Sequence, residues 1–333
     1  MGNLYERLEV LPRASQEVIG AAFRTLMKAS FQSKEDNAEE KRRGFEEAYK
    51  ILSDPDKRAE YDQNRLDLRG KVIVDKYRVL ELVTQEEVSD VYRGEHLLLE
   101  EPIWLKHCSN TSKEAEEMLL GEARALWDLR HHSLPAIRDV LRLEDGTVAV
   151  VTSYIPGPTW AQMIEKNGAM HPEPVTWLAE RVLNVLRFIH VHAGLIHGNV
   201  NPQKIIIQPE YVMASLIGFE LALSAAHVCR GSRGYSDIFS PLEAVQGMPL
   251  LPGSDLYGLG MTMVYALNGD LKETRKKSVP ESTPDLLCNF IKRLIARDVL
   301  ERPSWEDEDL CETLAEIKIK SFGKKSKIKP IPW

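Results

Sequence analysis

The run Ile196-His197-Gly198-Asn199-Val200-Asn201-Pro202-Gln203-Lys204 leads into the apolar stretch Ile205-Ile206-Ile207. Its polar side chains include an imidazole, carboxamides and an ammonium. A carboxamide is no proton acceptor at neutral pH and brings no charge to a metal. The Lys204 ammonium repels a divalent cation. Gly218-Phe219-Glu220 follows, with its one carboxylate at Glu220. Upstream, Lys106 and Glu122 could form an ion pair. His190, His192 and His197 are candidate metal ligands by residue type, but core histidines are the better reading.

The elements that position these groups divide the chain of 333 residues, long enough for two or three domains. Hydrophobic residues make up 43% and charged residues 28%, as in ordinary globular proteins. A net charge of −7 excludes nucleic-acid binding by bulk electrostatics. Cys108, Cys229, Cys288 and Cys311 form no CxxC pair, so reduced thiols and a cytoplasmic setting are expected. No apolar run approaches the roughly 20 residues that span a bilayer, and the first residues show no signal-peptide pattern.

Residues 1–66 have a helical pattern. Asn3 can cap a short helix from Leu4 to Glu9, and Ser15 opens a second. Val18, Ala22, Leu26 and Ala29 mark its buried stripe, flanked by Phe23 and Met27. Phe45, Tyr49 and Leu52 mark a third helix, and Ser53 or Asp54 caps a fourth with Pro55 in its first turn. The segment from Glu47 to Asp62, EAYKILSDPDKRAEYD, resembles the end of a J domain of the DnaJ co-chaperone family. Asn3-Leu4-Tyr5-Glu6-Arg7-Leu8 fits that family's start. The resemblance places Phe31, Gln32 and Ser33 at the H-P-D tripeptide that stimulates a DnaK-type ATPase. None of the three matches, so it implies absent or very weak stimulation and only a weak DnaK-type link. Arg24 and Lys28 share a helix face, solvated or turned to an acidic partner.

After a linker over 67–70, residues 71–316 resemble a Ser/Thr protein kinase, with a small lobe over 71–153 and a large lobe over 157–316. Together the two resemblances imply an α+β multidomain protein: an all-α J-domain hairpin followed by a bilobal kinase-like fold. Ile103-Trp104-Leu105-Lys106 matches the V-A-I-K strand, and Glu122 the glutamate that pairs with its lysine. Trp104 stands where the family has a small residue over the adenine pocket. Thr84, Glu86 and Ser89 replace the three glycines of the phosphate loop. Asn199 replaces the base Asp, Asn201 the Lys and Lys204 the metal-binding Asn of the catalytic loop. Gly218 replaces the Asp of D-F-G, and Gly198 the loop Arg. Arg230 and Arg233 lie in an activation segment read as an exposed or partner-docking loop.

The packing parts of the family remain. His197 and Phe219 fit its regulatory spine with Leu126. Asp255 is expected to bond the catalytic-loop backbone, and Arg302 to pair with Glu243.

These departures point first to a pseudokinase and a degenerate J domain acting as a non-catalytic adaptor through unknown protein partners. On this reading there are no catalytic residues, no metal site and no cofactor; ATP and Mg²⁺ are both disfavoured. A nucleotide sensor or weak atypical kinase is one alternative, and a client-recruiting co-chaperone is another. The basic tail over 317–333, with Lys318, Lys320, Lys324, Lys325, Lys327 and Lys329, is solvated or meets an acidic protein, a lipid or RNA.

Overall fold

A computed structural model describes residues 4–10, 14–32, 38–64, 67–86, 88–108, 113–143, 146–211, 213–224 and 238–323. Two units emerge, Met1–Glu117 with Leu141–Ala149, and Met118–Val140 with Val150–Trp333.

The first unit begins with four helices: α1 Leu4–Arg7, α2 Gln16–Gln32, α3 Ala38–Leu52 and α4 Pro55–Asn64. The Asp54 carboxylate accepts from the amides of Asp56 and Lys57 and caps α4. Leu4, Tyr5, Leu8, Ile19, Ala48 and Leu52 form the core, with Phe23, Leu26, Phe45 and Tyr49 packed on it. The buried stripe of α2 is therefore centred on Ile19, Phe23 and Leu26. Val18, expected inside, is half exposed. The reason is aromatic: Phe23 stacks on Tyr49 at 4.2 Å, which turns the helix by about one residue.

Tyr5 joins the chain ends of this helical set. It is fully buried, its hydroxyl donates to Asp62 and accepts from Arg58 Nε at 2.9 Å. Burial first, then the Asp62 carboxylate, push the phenol up to about 12.

The same unit continues as an antiparallel meander of β1 Val72–Ile73, β2 Tyr77–Gln85, β3 Asp90–His96 and β4 Glu101–His107. The residues read as a linker are tied to it: Leu68 is buried and the Gly70 amide donates to Val79 O. A Cβ at Gly94 would lie 2.6 Å from Arg78 O, so glycine is what lets β2 and β3 approach there. Helix α5, Lys113–Leu126, and the strands β5 Ile137–Arg142 and β6 Val148–Ser153 run through both units. Within the first unit, Cys108 N donates to Val148 O and Arg142 pairs with Glu116.

The second unit is mainly helical: α6 Trp160–Asn167, α7 Pro172–Arg187, α8 Leu242–Val245, α9 Pro252–Asn268, α10 Leu271–Arg275, α11 Asp285–Leu294 and α12 Leu310–Phe322. Two small antiparallel pairs lie among them, β7 Leu195–Ile196 with β10 Leu223–Ser224, and β8 Ile205–Gln208 with β9 Met213–Leu216. Helix α9 is buried on every face from Ser254 to Leu267, which marks it as the core helix. Helix α7 starts before Trp177, because His171 caps it and Pro172 fits its first turn. Helix α12 takes in Lys318 and Lys320 of the basic tail. Lys318 lies 4.6 Å over the Trp177 ring and pairs with Glu180. The lysines at 324, 325, 327 and 329 lie outside the described residues, as do Arg230 and Arg233.

Tyr5→Phe keeps the aromatic packing but removes the hydroxyl between Arg58 and Asp62. It should lower the stability of the helical set by about 1–2 kcal/mol. Hydrogen exchange of the intact chain should show faster exchange in α1 and α4, and unchanged rates there would contradict the role given to this hydroxyl.

Candidate active site

The loop between β7 and β8 is held by one carboxylate. Asp255, in the first turn of α9 and 1% exposed, accepts from His197 N at 2.7 Å and Gly198 N at 2.8 Å. His190 Nε2 donates to the same carboxylate at 2.8 Å. That tautomer is fixed from behind, because Trp305 Nε1, which only donates, bonds His190 Nδ1 at 2.9 Å. Burial alone would raise the Asp255 carboxyl; the His190 hydrogen bond and the nearby histidines hold it below the usual carboxylate range. Helix and loop meet closely, since a Cβ at Gly258 would lie 2.2 Å from Val200 O.

His197 is fully buried and lies edge-on to Phe219, with ring centroids 4.5 Å apart. Its Nδ1 accepts from Asn199 N at 3.2 Å and its Nε2 donates to Ile217 O at 3.0 Å. Both nitrogens of the neutral ring are thereby used. Burial accordingly pulls its pKa below the ordinary histidine value. Glu122 on α5 reaches the same place, accepting from Phe219 N at 3.3 Å. His190 and His197 are thus core residues, as the sequence suggested. No cluster of metal-ligating side chains occurs among the described residues.

The replaced residues satisfy one another. Asn201 Nδ2 donates to Asn199 Oδ1 at 2.8 Å and to Asn199 O at 3.1 Å. Asn201 Oδ1 accepts from Gln203 N at 2.9 Å. Two neutral amides thus close the loop where the family has an Asp and a Lys. Lys204 Nζ lies 2.8 Å from Glu220 Oε1, and both side chains are nearly buried. Gly218 has φ +81°, and a Cβ there would lie 2.5 Å from Lys204 Cδ. Losses that looked separate in sequence at 204 and 218 are one packing arrangement. Gly198, at φ +77°, has no room for a side chain either: a Cβ would meet Leu221 O at 2.9 Å.

A second brace holds the segment after the activation region. Arg302 donates to Glu243 at 2.6 and 3.1 Å, and Ser254 Oγ donates to Glu243 at 2.8 Å. Burial would raise Glu243, but Arg302 holds it low.

In the first unit, Lys106 lies on β4, 9% exposed, opposite Val91. Trp104 shares its face of the strand and is partly buried. Thr84 pairs with Val91 and Gln85 with Asp90, and Glu86 N donates to Ser89 O at 2.9 Å. The β2–β3 connection therefore closes as a tight hairpin. Phe31 is 70% exposed at the end of α2, with the Arg42 guanidinium 4.9 Å over its ring. Gln32 ends that helix and Ser33 lies outside the described residues.

An aspartate on a buried helix holding a histidine loop, an aromatic spine contact and an Arg–Glu brace define a protein-kinase-type frame. Residues 77–313 match the protein kinase domain, and the chain belongs to that family. Residues 3–62 match the DnaJ domain, so the chain joins a J domain to a kinase domain. It is 22% identical over 257 residues to the "Probable serine/threonine-protein kinase PknB" of Lactococcus lactis, covering 70% of this chain and 40% of that protein. It is 26% identical to a serine/threonine-protein kinase of Myxococcus xanthus, covering 65% and 42%. A serine/threonine-protein kinase of Bacillus subtilis is 25% identical, covering 61% and 32%. The chain thus spans less than half the length of these curated relatives.

These findings correct the expectation of a non-catalytic adaptor. The relatives carry the names of serine/threonine-protein kinases. The J domain joined to the kinase domain points toward chaperone work. No described helix is long and apolar enough to cross a membrane.

The pKa directions set a pH dependence. His197, Asp255 and Glu243 are all held below ordinary values of 6.5, 3.8 and 4.5. A lowered group stabilises the fold above its unfolded pKa and loses that contribution as pH falls. Calorimetry should show the melting temperature of the kinase domain falling below pH 6.5, and more steeply below about pH 4.5. A melting temperature that rises from pH 7 to 5 would contradict this. Asp255→Ala strands two buried amides and should cost about 3 kcal/mol or more by denaturant titration.

Proposed function

We propose that this chain is a chaperone-linked member of the protein kinase family whose kinase domain engages nucleotide and transfers phosphate far more slowly than its named relatives would. The observation that carries this is the assembled loop. Asp255 holds it, His197 meets Phe219, and Glu122 bonds the Phe219 amide. That is the packing a kinase uses to position reactants, kept in working order.

The rate is where the chain departs. At the family's base position stands Asn199, whose amide oxygen is engaged by Asn201. A positioned general base contributes about 10²–10⁴-fold. Gly218 offers no side-chain carboxylate to a metal, and electrostatic stabilisation of the transferring phosphoryl is thereby weakened. These features support pseudokinase character in the sense of attenuated chemistry on a kinase frame.

The J domain supports a DnaK-type chaperone as partner. With Phe31, Gln32 and Ser33 in the tripeptide's place, stimulation of that ATPase is expected to be weak.

Phosphate transfer from labelled ATP tests the reading. Wild-type protein should show slow incorporation that Lys106→Met abolishes. Asn199→Asp, Lys204→Asn and Gly218→Asp introduced together should raise it at least about 10-fold. No incorporation by either protein, with no thermal shift on adding ATP, would overturn the proposal.

A further inference from the structure

The protein kinase family implies Mg²⁺, held by the residues at positions 204 and 218. The residues of this chain do not fit it. Gly218 has no side-chain donor atom. Lys204 presents a cation. Glu220, the carboxylate beside Lys204, is already engaged by it at 2.8 Å, with the two side chains 12% and 11% exposed, and Glu122 accepts from the Phe219 amide.

We propose that the Lys204 ammonium, held by Glu220, is the resident cation of this cleft, replacing the divalent metal and leaving a site for nucleoside triphosphate free of metal. The backbone sets the lysine in place: Lys204 N donates to Asn201 O at 3.0 Å, and Ile217 N donates to Lys204 O at 2.9 Å. The stem then runs past Gly218, within 2.5–3.1 Å of where a Cβ would stand. A side chain at 218 would push the lysine off Glu220. The glycine is therefore a condition for the lysine, and the two exchanges belong together. An ammonium paired with a nearly buried carboxylate is not readily displaced by Mg²⁺, because Glu220 would have to part with Lys204. A triphosphate brings several negative charges, and the ammonium supplies a fixed donor to it.

The nucleotide half of this proposal rests on the function proposed above; the metal half does not. Mn²⁺ binding to the full chain, followed by electron paramagnetic resonance with and without ATP, reads the metal half. Wild type should bind no Mn²⁺ below millimolar concentration, and Lys204→Asn with Gly218→Asp should bind it at least about 10-fold more tightly. Gly218→Asp alone should melt about 5–10 °C lower than wild type, and the double variant should recover part of that loss. Thermal shift with ATP reads the nucleotide half: ATP in EDTA should stabilise wild type at least as well as ATP with excess Mg²⁺. Tight Mn²⁺ binding by wild type that Glu220→Gln abolishes would overturn the proposal, as would stabilisation by ATP only when Mg²⁺ is present. A double variant no more stable than Gly218→Asp alone would overturn the coupling. If ATP stabilises wild type in neither condition, the nucleotide reading falls and the Mn²⁺ result still decides the metal half.

Discussion

The kinase domain depends on one buried carboxylate. Asp255 takes hydrogen bonds from His197 N, Gly198 N and His190 Nε2, and is 1% exposed. A charge so buried persists only when fully bonded. Its partners come from two places: the helical turn Phe188–His192 that follows α7, and the loop after β7. Trp305 fixes the proton on His190, so the large-domain terminus also reports to Asp255. The approach of α9 to Val200 at Gly258 completes the joint. Loop conformation, spine contact and the site of residues 197–220 all follow from this point.

Around that joint the altered residues form matched sets. Asn199 and Asn201 are two neutral amides bonded to each other, where a charged pair would have required a partner for each charge. Lys204 and Glu220 are two charges that cancel, and Gly218 gives the lysine its space. Each set leaves no stranded buried charge. The chain belongs to the protein kinase family, and on the function proposed above its altered residues slow that chemistry while the frame is kept.

Much of this was legible in sequence. The motif spacing located the Asp255, Glu243–Arg302 and His197–Phe219 contacts, because fixed backbone elements demand them. The J-domain helices were legible from caps and periodicity. The stripe of α2 was misplaced by one position, since Val18 and Ile19 are equally apolar and only the Phe23–Tyr49 stack decides between them. The dependence of Lys204 on Gly218 was not legible, because a steric relation between residues 14 apart has no periodic signature. Trp305 on His190 was missed for the same reason. The functional expectation failed most clearly: substitutions show which groups are absent, but whether activity is lost or only lowered depends on what replaces them.

The central claim is that the ammonium of Lys204 takes the place of a divalent cation in an otherwise assembled kinase frame. Anomalous diffraction from crystals of the full chain soaked with Mn²⁺ and ATP tests it most directly. The account predicts no manganese peak among residues 197–220, with Lys204 Nζ still on Glu220. A manganese peak coordinated by Glu220, with the lysine displaced, would contradict it.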